Sequence, residues 1–493
     1  MKRIKYPNGH TYKLKLSSFE AGLGGSDENI MPFKYAKETY NFNQIGGNLK
    51  TGIGFSAFLK YFCSPDYLEQ FNEKFSELGK IEGVWHFKKY NQTLGKREDK
   101  LIFINDSLQT YYIDFATNNV AFNRVYSLAF TSKPVAVNYR LEGKDVIIFS
   151  SETDNMVVWD GENPAYSVLD APKISSMALH YERLFVTVNG EKNSVWFSDD
   201  LDPTNWTVSL DEAGFIQMVD ERGALQKVVS FNDYLYVFRE QGISRITAYA
   251  NQENFSVSHL FVSSSKIYRD SVCICGDRIL FLASDGIYIF DGYETTKILP
   301  AISKKLEGLN NNTSYACYYN GKYYLACKFN FEENPAFQES ETENNALFEI
   351  DVSKLTVNIA RGVSVNFLSG IVSDFFTGVL AAVKSASGRT LVVIDNSGKL
   401  FGNVLSKCWQ STFSDMGYPS SKKIIRQIVL TSASPVDVIV KNEKDETRLH
   451  FSGGGVPEIK HLVKSGMRFS FRIESQSEQT EISNVEISVK VEE

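Results

Sequence analysis

Long apolar runs are missing from this chain. No stretch of roughly eighteen or more consecutive apolar residues occurs, so no membrane-spanning helix is expected. The basic N-terminus, MKRIKYPNGHTYKLKL, is not followed by the apolar core of a secretory signal. Synthesis and retention in a cytoplasm is the expectation. Cysteine and histidine are sparse, at six each. Cys63, Cys273, Cys275, Cys317, Cys327 and Cys408 contain no C-x-x-C pair of the redox or zinc type. Cys273 and Cys275 flank one residue of an expected strand, which aims both thiols at one face. Buried free thiols are expected. No two of His10, His86, His180, His259, His450 and His461 stand at metal-ligand spacing, so structural or surface positions are expected and no metal site. Also missing are G-x-S-x-G, a phosphate-binding glycine loop ending in Lys-Ser/Thr, and a dinucleotide fingerprint. These absences point away from an enzyme and imply no cofactor. An excess of positive charge is lacking too. The 52 Lys and Arg face 59 Asp and Glu, a net −7, which offers no general affinity for nucleic acid.

Aromatic residues are abundant: 25 Tyr and 35 Phe help bring the aromatic share to 13%. Flat side chains suit the pleated surface of strands. The clearest stretch is Arg278 to Gly292, RILFLASDGIYIFDG. Two apolar runs, Ile279–Ala283 and Ile287–Phe290, flank Ser284-Asp285-Gly286, and Asp-Gly between alternating apolar residues signals a hairpin. Similar paired runs recur. Leu101–Phe103 matches Thr110–Ile113, Val146–Phe149 matches Met156–Trp159, and Leu184–Thr187 matches Val195–Phe197. Leu235–Phe238 matches Ser244–Ile246, Tyr323–Ala326 matches Ala346–Ile350, and Leu391–Ile394 matches Lys399–Phe401. The first runs begin at residues 101, 146, 184, 235, 279, 323 and 391. A strand-only repeat of roughly 40–50 residues predicts propeller blades, because one four-stranded sheet cannot cover both its faces alone. The expected fold is all-β: a β-propeller of about seven blades, six or eight being the alternatives, with the first strand of each blade nearer the axis. A propeller enzyme assembles its site from the axial ends of several blades, so missing motifs weaken an enzyme reading without excluding it.

Three segments stand outside the repeat. Residues 1–80 read as a β-rich extension with one helix at 65–79, where Leu68, Phe71, Phe75 and Leu78 form a stripe for core packing. Residues 81–406 hold the propeller. Residues 407–493 read as a C-terminal β-sandwich, with strands at Ile424–Leu430, Val436–Val440, Met467–Glu474 and Ile482–Val491. Two charged stretches are candidate interaction sites. Lys2, Arg3, Lys5, Lys13 and Lys15 form a basic arm before the first acid, Glu20. Phe331–Asn345 is an acidic surface excursion carrying Glu332, Glu333, Glu339, Glu341 and Glu343. Each more often is simply solvated; as opposite faces of one chain, they suit a head-to-tail contact.

Ser198–Trp206, SDDLDPTNW, is similar to the Asp-box turn of sialidase-like propellers, with Asp202 in place of the glycine and Asn205 between Thr204 and Trp206. An Asx-type turn with Trp206 covering the blade is the expected role. Calcium binding by Asp199, Asp200 and Asp202 lacks the glycine and distal glutamate of an EF-hand loop.

Tyr181 to Trp206, YERLFVTVNGEKNSVWFSDDLDPTNW, resembles a segment of tailed-bacteriophage virion propellers, and Val228–Ile246 resembles their next blade. Trp409–Arg426 is similar to structural proteins of phage tails. The family includes tail stabilisation proteins and nozzle, or tail tubular B, proteins. The resemblance implies a structural virion protein, made in the host cytoplasm and placed in the tail or neck. It implies a homo-oligomeric ring with other tail or portal-adaptor proteins as partners, and DNA passing through without sequence-specific binding. It carries over no catalytic, cofactor or metal residues. The alternatives are a glycan-binding or glycan-cleaving propeller at a tail tip, and a cellular protein-interaction propeller.

Overall fold

The computed structural model describes residues 3–5, 11–16, 19, 22–24, 35–58, 68–114, 122–209, 212–218, 222–335, 337, 342–385 and 388–492. Seven antiparallel sheets form a β-propeller. Blade 1 runs through Ile81–Phe87, Lys100–Asn105, Thr110–Asp114 and Asn123–Arg124. Blades 2 to 6 span 135–168, 174–217, 225–262, 273–298 and 315–361, each with four strands in chain order. Blade 7 takes Val365–Val372, Thr377–Ser385 and Gly388–Asp395 from the end of the ring. Its fourth strand is Gly54–Ala57, from the other end of the propeller sequence. Phe55 pairs with Ile394 and Gly54 with Asp395, and Ser56 Oγ donates to the Asp395 carboxylate.

The second strand of each blade contains a largely apolar run. Ile279 to Ala283 are at most 1% exposed, and Leu235 to Phe238 likewise. Such runs arise where a sheet is covered on both faces. Here the covers are the neighbouring blades. Ile102, Phe149 and Trp159 join blades 1 and 2; Ile148, Leu184 and Trp206 join blades 2 and 3. Phe185 and Leu235 join blades 3 and 4; Phe238, Phe281 and Phe290 join blades 4 and 5. Leu280 and Tyr323 join blades 5 and 6; Phe55, Tyr324 and Val365 join blades 6 and 7. Phe103, Phe367 and Leu380 close the ring between blades 7 and 1. Burying each such side chain stabilises by about 1.5–3 kcal/mol.

The recurrent hairpin is therefore the second and third strands of a blade, not the first two. An inner strand, such as Leu225–Phe231, precedes it. Inner strands of neighbouring blades touch at blades 2 and 3, 3 and 4, 6 and 7, and 7 and 1, which places them beside the axis. Buried and half-buried residues mix along these strands, with Leu225, Val228, Val229 and Phe231 buried in Leu225–Phe231, so they lack the apolar signature that marks their neighbours. The last unit is corrected in the same way. Leu391–Ile394 lies in the third strand of blade 7, and its hairpin partner is Thr377–Ser385 rather than Lys399–Phe401. In the opening hairpin the two-residue turn is Ser284-Asp285, because Gly286 already pairs with Ala283. A Cβ at Gly286 would sit 2.6 Å from both Lys297 Cε and Ser303 Oγ, so close packing requires glycine there.

The sandwich has two sheets around one core that includes Phe42, Trp409, Ile428, Val438 and Ile487. All four expected C-terminal strands are present, with Lys407–Ser411, Glu446–Phe451 and Pro457–Gly466 in addition. The N-terminal residues are not a separate extension. Thr11–Leu16 and Asn48–Thr51 pair with Glu481–Val491 in one sheet, and Ala36–Tyr40 pairs with Lys407–Ser411 in the other. The first eighty residues are therefore shared between the sandwich and blade 7, while the change from blade 7 to sandwich falls between Val404 and Lys407, at the expected boundary of 406. The helix occupies Leu68–Glu77, and Phe75 and Leu78 pack between blades 7 and 1.

Candidate interaction surfaces

The strongest polar cluster ties the ring to the sandwich. Arg361 ends the outer strand of blade 6, Val357–Arg361, and its side chain is 3% exposed. Its guanidinium lies 3.2 Å from Glu38 Oε1 and donates to the Glu332 carbonyl at 3.0 Å. The rings of Phe331, Phe337 and Tyr40 surround it at 4.4, 4.5 and 5.0 Å. Lys305 reaches Glu38 at 3.4 Å, and the Glu332 N–H donates to the same carboxylate at 2.9 Å. Asn41, at φ 58°, bridges the two bodies: its amide donates to the carbonyls of Arg361 at 3.1 Å and Ser406 at 2.7 Å. A desolvated ion pair stabilises little by itself but penalises every arrangement that separates its members. Its value here is a fixed angle between ring and sandwich.

The acidic stretch is not wholly a surface excursion. Phe331 and Phe337 pack on Arg361, Glu332 pairs with Lys37 at 2.6 Å, and Glu343 pairs with Lys384 at 3.2 Å. Burial alone would raise the Glu332 carboxyl; the Lys37 ammonium outweighs it and holds the group below the usual carboxylate range. Glu333 is exposed. Glu339 and Glu341 lie outside the described residues. In the basic arm, Arg3 and Lys5 belong to a strand paired with Thr11–Leu16, Lys13 pairs with Glu486 at 2.5 Å, and Lys15 is exposed. Lys2 lies outside the described residues. Lys13, Glu332 and Glu343 thus have partners within the same chain.

A cleft of about 1160 Å3 opens beside this junction, between the hairpin Phe42–Thr51, blade 6 and the helix Pro300–Leu306. Glu349 lines it, accepting hydrogen bonds from Tyr324 Oη at 3.1 Å and Asn358 Nδ2 at 3.1 Å, with Lys322 Nζ at 2.9 Å. Asn43, 4% exposed, also lines it, and its Oδ1 has no hydrogen-bond partner. The cleft mixes amides, two held carboxylates, Glu349 and Asp351, the lysines Lys322 and Lys354, and apolar walls.

Five cysteines are free, and Cys63 lies outside the described residues. The Cys275 thiol beside Cys273 holds Cys273 below its usual range, while burial raises Cys317 far above it. Among the described residues, no three His, Cys, Asp or Glu side chains are arranged to hold a metal ion. His180 is buried in blade 3 against Ser230 Oγ at 2.9 Å, and burial pushes its imidazole down to about 4. The Ser198–Trp206 segment forms the Asx-type turn: Asp202 Oδ1 accepts from the backbone and hydroxyl of Thr204, and Trp206 is 5% exposed, donating to the Pro203 carbonyl at 3.1 Å. Sequence reasoning missed Glu38, Asn41 and Arg361. The one readable signal was an isolated arginine inside an otherwise strand-forming run, VNIARG.

The geometry defines the class: a seven-bladed β-propeller closed by its own N-terminal segment and locked to a β-sandwich. No family model matches the chain, and no curated protein matches it. Solved structures similar to it include BBS1N in complex with ARL6DN, at 9% identity, covering 65% of this chain and 95% of that one, with a TM-score of 0.40. Hsv2 of Kluyveromyces lactis is similar at 10% identity over 57% of this chain and 97% of its own, with a TM-score of 0.33. The extracellular domain of BT4673 from B. thetaiotaomicron matches at 8% identity over 89% of this chain and 62% of its own, with a TM-score of 0.41. No helix among the described residues is long and apolar enough to cross a membrane.

Proposed function

We propose that this chain is a protein-interaction scaffold with no chemistry of its own. The observation that carries this reading is the lock between ring and sandwich. Arg361, Glu38 and Asn41 are buried or nearly so, and their bonds fix the relative position of two bodies. A rigid platform lowers the ordering cost a partner must meet on binding. Purified full-length chain, cross-linked and weighed with its co-expressed genomic neighbours, should give a complex of fixed stoichiometry with itself or a second protein. A monomer that cross-links to nothing sinks the reading.

The sharper form is a structural protein of a tailed-phage virion, in a neck or tail ring on the DNA exit path. It is favoured by one observation, the likeness of Tyr181–Trp206 and Val228–Ile246 to virion propellers. Those residues supply strands and turns of blades 3 and 4. Imaging of purified particles decides it: symmetric copies of this chain in a tail support it, and its absence from particles leaves only the cellular scaffold.

A further inference from the structure

One end of blades 3 to 5 carries a tyrosine cluster. In an up-and-down blade the turns between strands one and two and between strands three and four lie at the same end. Blade 3 presents Tyr181 there and blade 4 presents Tyr249, 43% and 66% exposed, with rings edge to face at 5.3 Å. Blade 5 adds Tyr293, 67% exposed. Tyr181 sits at φ 50°, in the left-handed region, and the turn sets that conformation. The matching turn holds Glu142-Gly143 in blade 2, Asn232-Asp233 in blade 4 and Asn320-Gly321 in blade 6, all at similar positive φ. What distinguishes blade 3 is the aromatic side chain at this position, packed on His180 at 4.5 Å and on Tyr249. The surround is acidic, with Glu182, Asp233 and Glu294 all exposed. The cluster also shows how a cation meets its rings: the Arg245 guanidinium lies 4.4 Å from the Tyr234 centroid and 5.9 Å from that of Tyr293.

We propose that this end of blades 3 to 5 docks an arginine-bearing segment of a partner protein. The inference rests on the scaffold reading and names the partner's chemistry. Exposed rings offer π faces to guanidinium groups. The carboxylates accept paired N–H bonds in a geometry that arginine matches and lysine does not. The same acids repel phosphate, which opposes nucleic acid and anionic lipid as occupants.

The test uses the full chain and three labelled peptides, octa-arginine, octa-lysine and octa-glutamate, in fluorescence anisotropy at about 150 mM salt, where exposed charges are screened beyond a Debye length. The variant is Tyr181→Asn with Tyr249→Ala; asparagine tolerates the positive φ. Octa-arginine should bind the unaltered chain more tightly than octa-lysine. The double variant should weaken octa-arginine roughly five- to tenfold, the sum of two lost cation–π contacts, at an unchanged melting temperature. Should the double variant misfold, Tyr249→Ala alone serves, with roughly a threefold loss expected. Equal binding of the two basic peptides, a change under twofold in the variants, or binding of octa-glutamate overturns the proposal. The cross-linking experiment separates the two readings: a stable complex that survives the tyrosine changes leaves the scaffold standing and removes only this docking site.

Discussion

Blade 4 and blade 7 are built alike until their last strand. In blade 4 the outer strand, Ser256–Val262, follows the third strand after a local connection that carries one 3-10 turn, Gln252–Asn254, and is half exposed along its length. In blade 7 the outer strand, Gly54–Ala57, arrives from the far end of the ring sequence, and Phe55 is 2% exposed. The local strand only finishes a sheet. The borrowed strand closes the ring, so it must hold against the entropy of a very long loop. Buried aromatic packing supplies that hold. The same contrast separates the local turns of blade 3 from the ring–sandwich junction, where Arg361 meets residues more than 300 positions away.

Three experiments break or sharpen this contrast. The largest effect belongs to the borrowed strand. Phe55→Ala should cost about 3–5 kcal/mol, as large-to-small changes in packed cores do, whereas Val257→Ala in the local outer strand should cost under about 1 kcal/mol. Urea unfolding of the two variants measures this; equal losses would show that closure carries no special weight.

At the junction, Arg361→Ala leaves the buried Glu38 held by Lys305 and the Glu332 N–H and should cost about 3 kcal/mol. Arg361→Met combined with Glu38→Gln should recover most of it, since an apolar replacement of both charges is close to neutral. A double variant as unstable as the single one would place the cost in lost ring contacts instead.

The smallest effect is local to blade 3 and depends on pH. His180 titrates at about 4 in the folded chain against roughly 6.5 when unfolded, so below pH 6.5 the unfolded state binds the extra proton. Its contribution is whole above about pH 6.5 and is lost as pH falls toward 4, by about 2–3 kcal/mol. His180→Gln should flatten the stability profile across that window. Glu332, held below its usual range, loses its contribution only as pH falls through its own lower pKa, which separates the two groups. A profile unchanged by His180→Gln would mean that the imidazole is not kept neutral by burial.

Much of the ring was legible because its second strands are apolar on both faces. Runs such as Ile279–Ala283 stand out at any period, and their spacing counts seven blades, with the seventh run, Leu391–Ile394, falling in the third strand of blade 7. The inner strands were not legible. Val135–Leu141 and Tyr315–Tyr319 are half exposed beside the axis and carry mixed side chains, so no hydrophobic pattern marks them. The partners of the charged candidates were illegible for a related reason. Sequence showed that Lys13, Glu332 and Glu343 are charged, but Glu486, Lys37 and Lys384, which neutralise them, stand far along the chain or across a sheet. The exposed tyrosines were equally silent, since Tyr181 in a strand-rich sequence reads as one more β-former.

The sequence by itself determined the strands, the repeat and the absence of familiar catalytic motifs, because these rest on local propensity and on side-chain period, which neighbours in the chain decide. Only the tertiary structure decided how the ring closes, which residues of the first sixty belong to which body, and where Arg361 finds its carboxylate. Those are pairings between distant segments. A strand of four residues such as Gly54–Ala57 satisfies its backbone equally well beside many partners, and the choice among them falls to the shape of the apolar surface that each partner leaves to be covered.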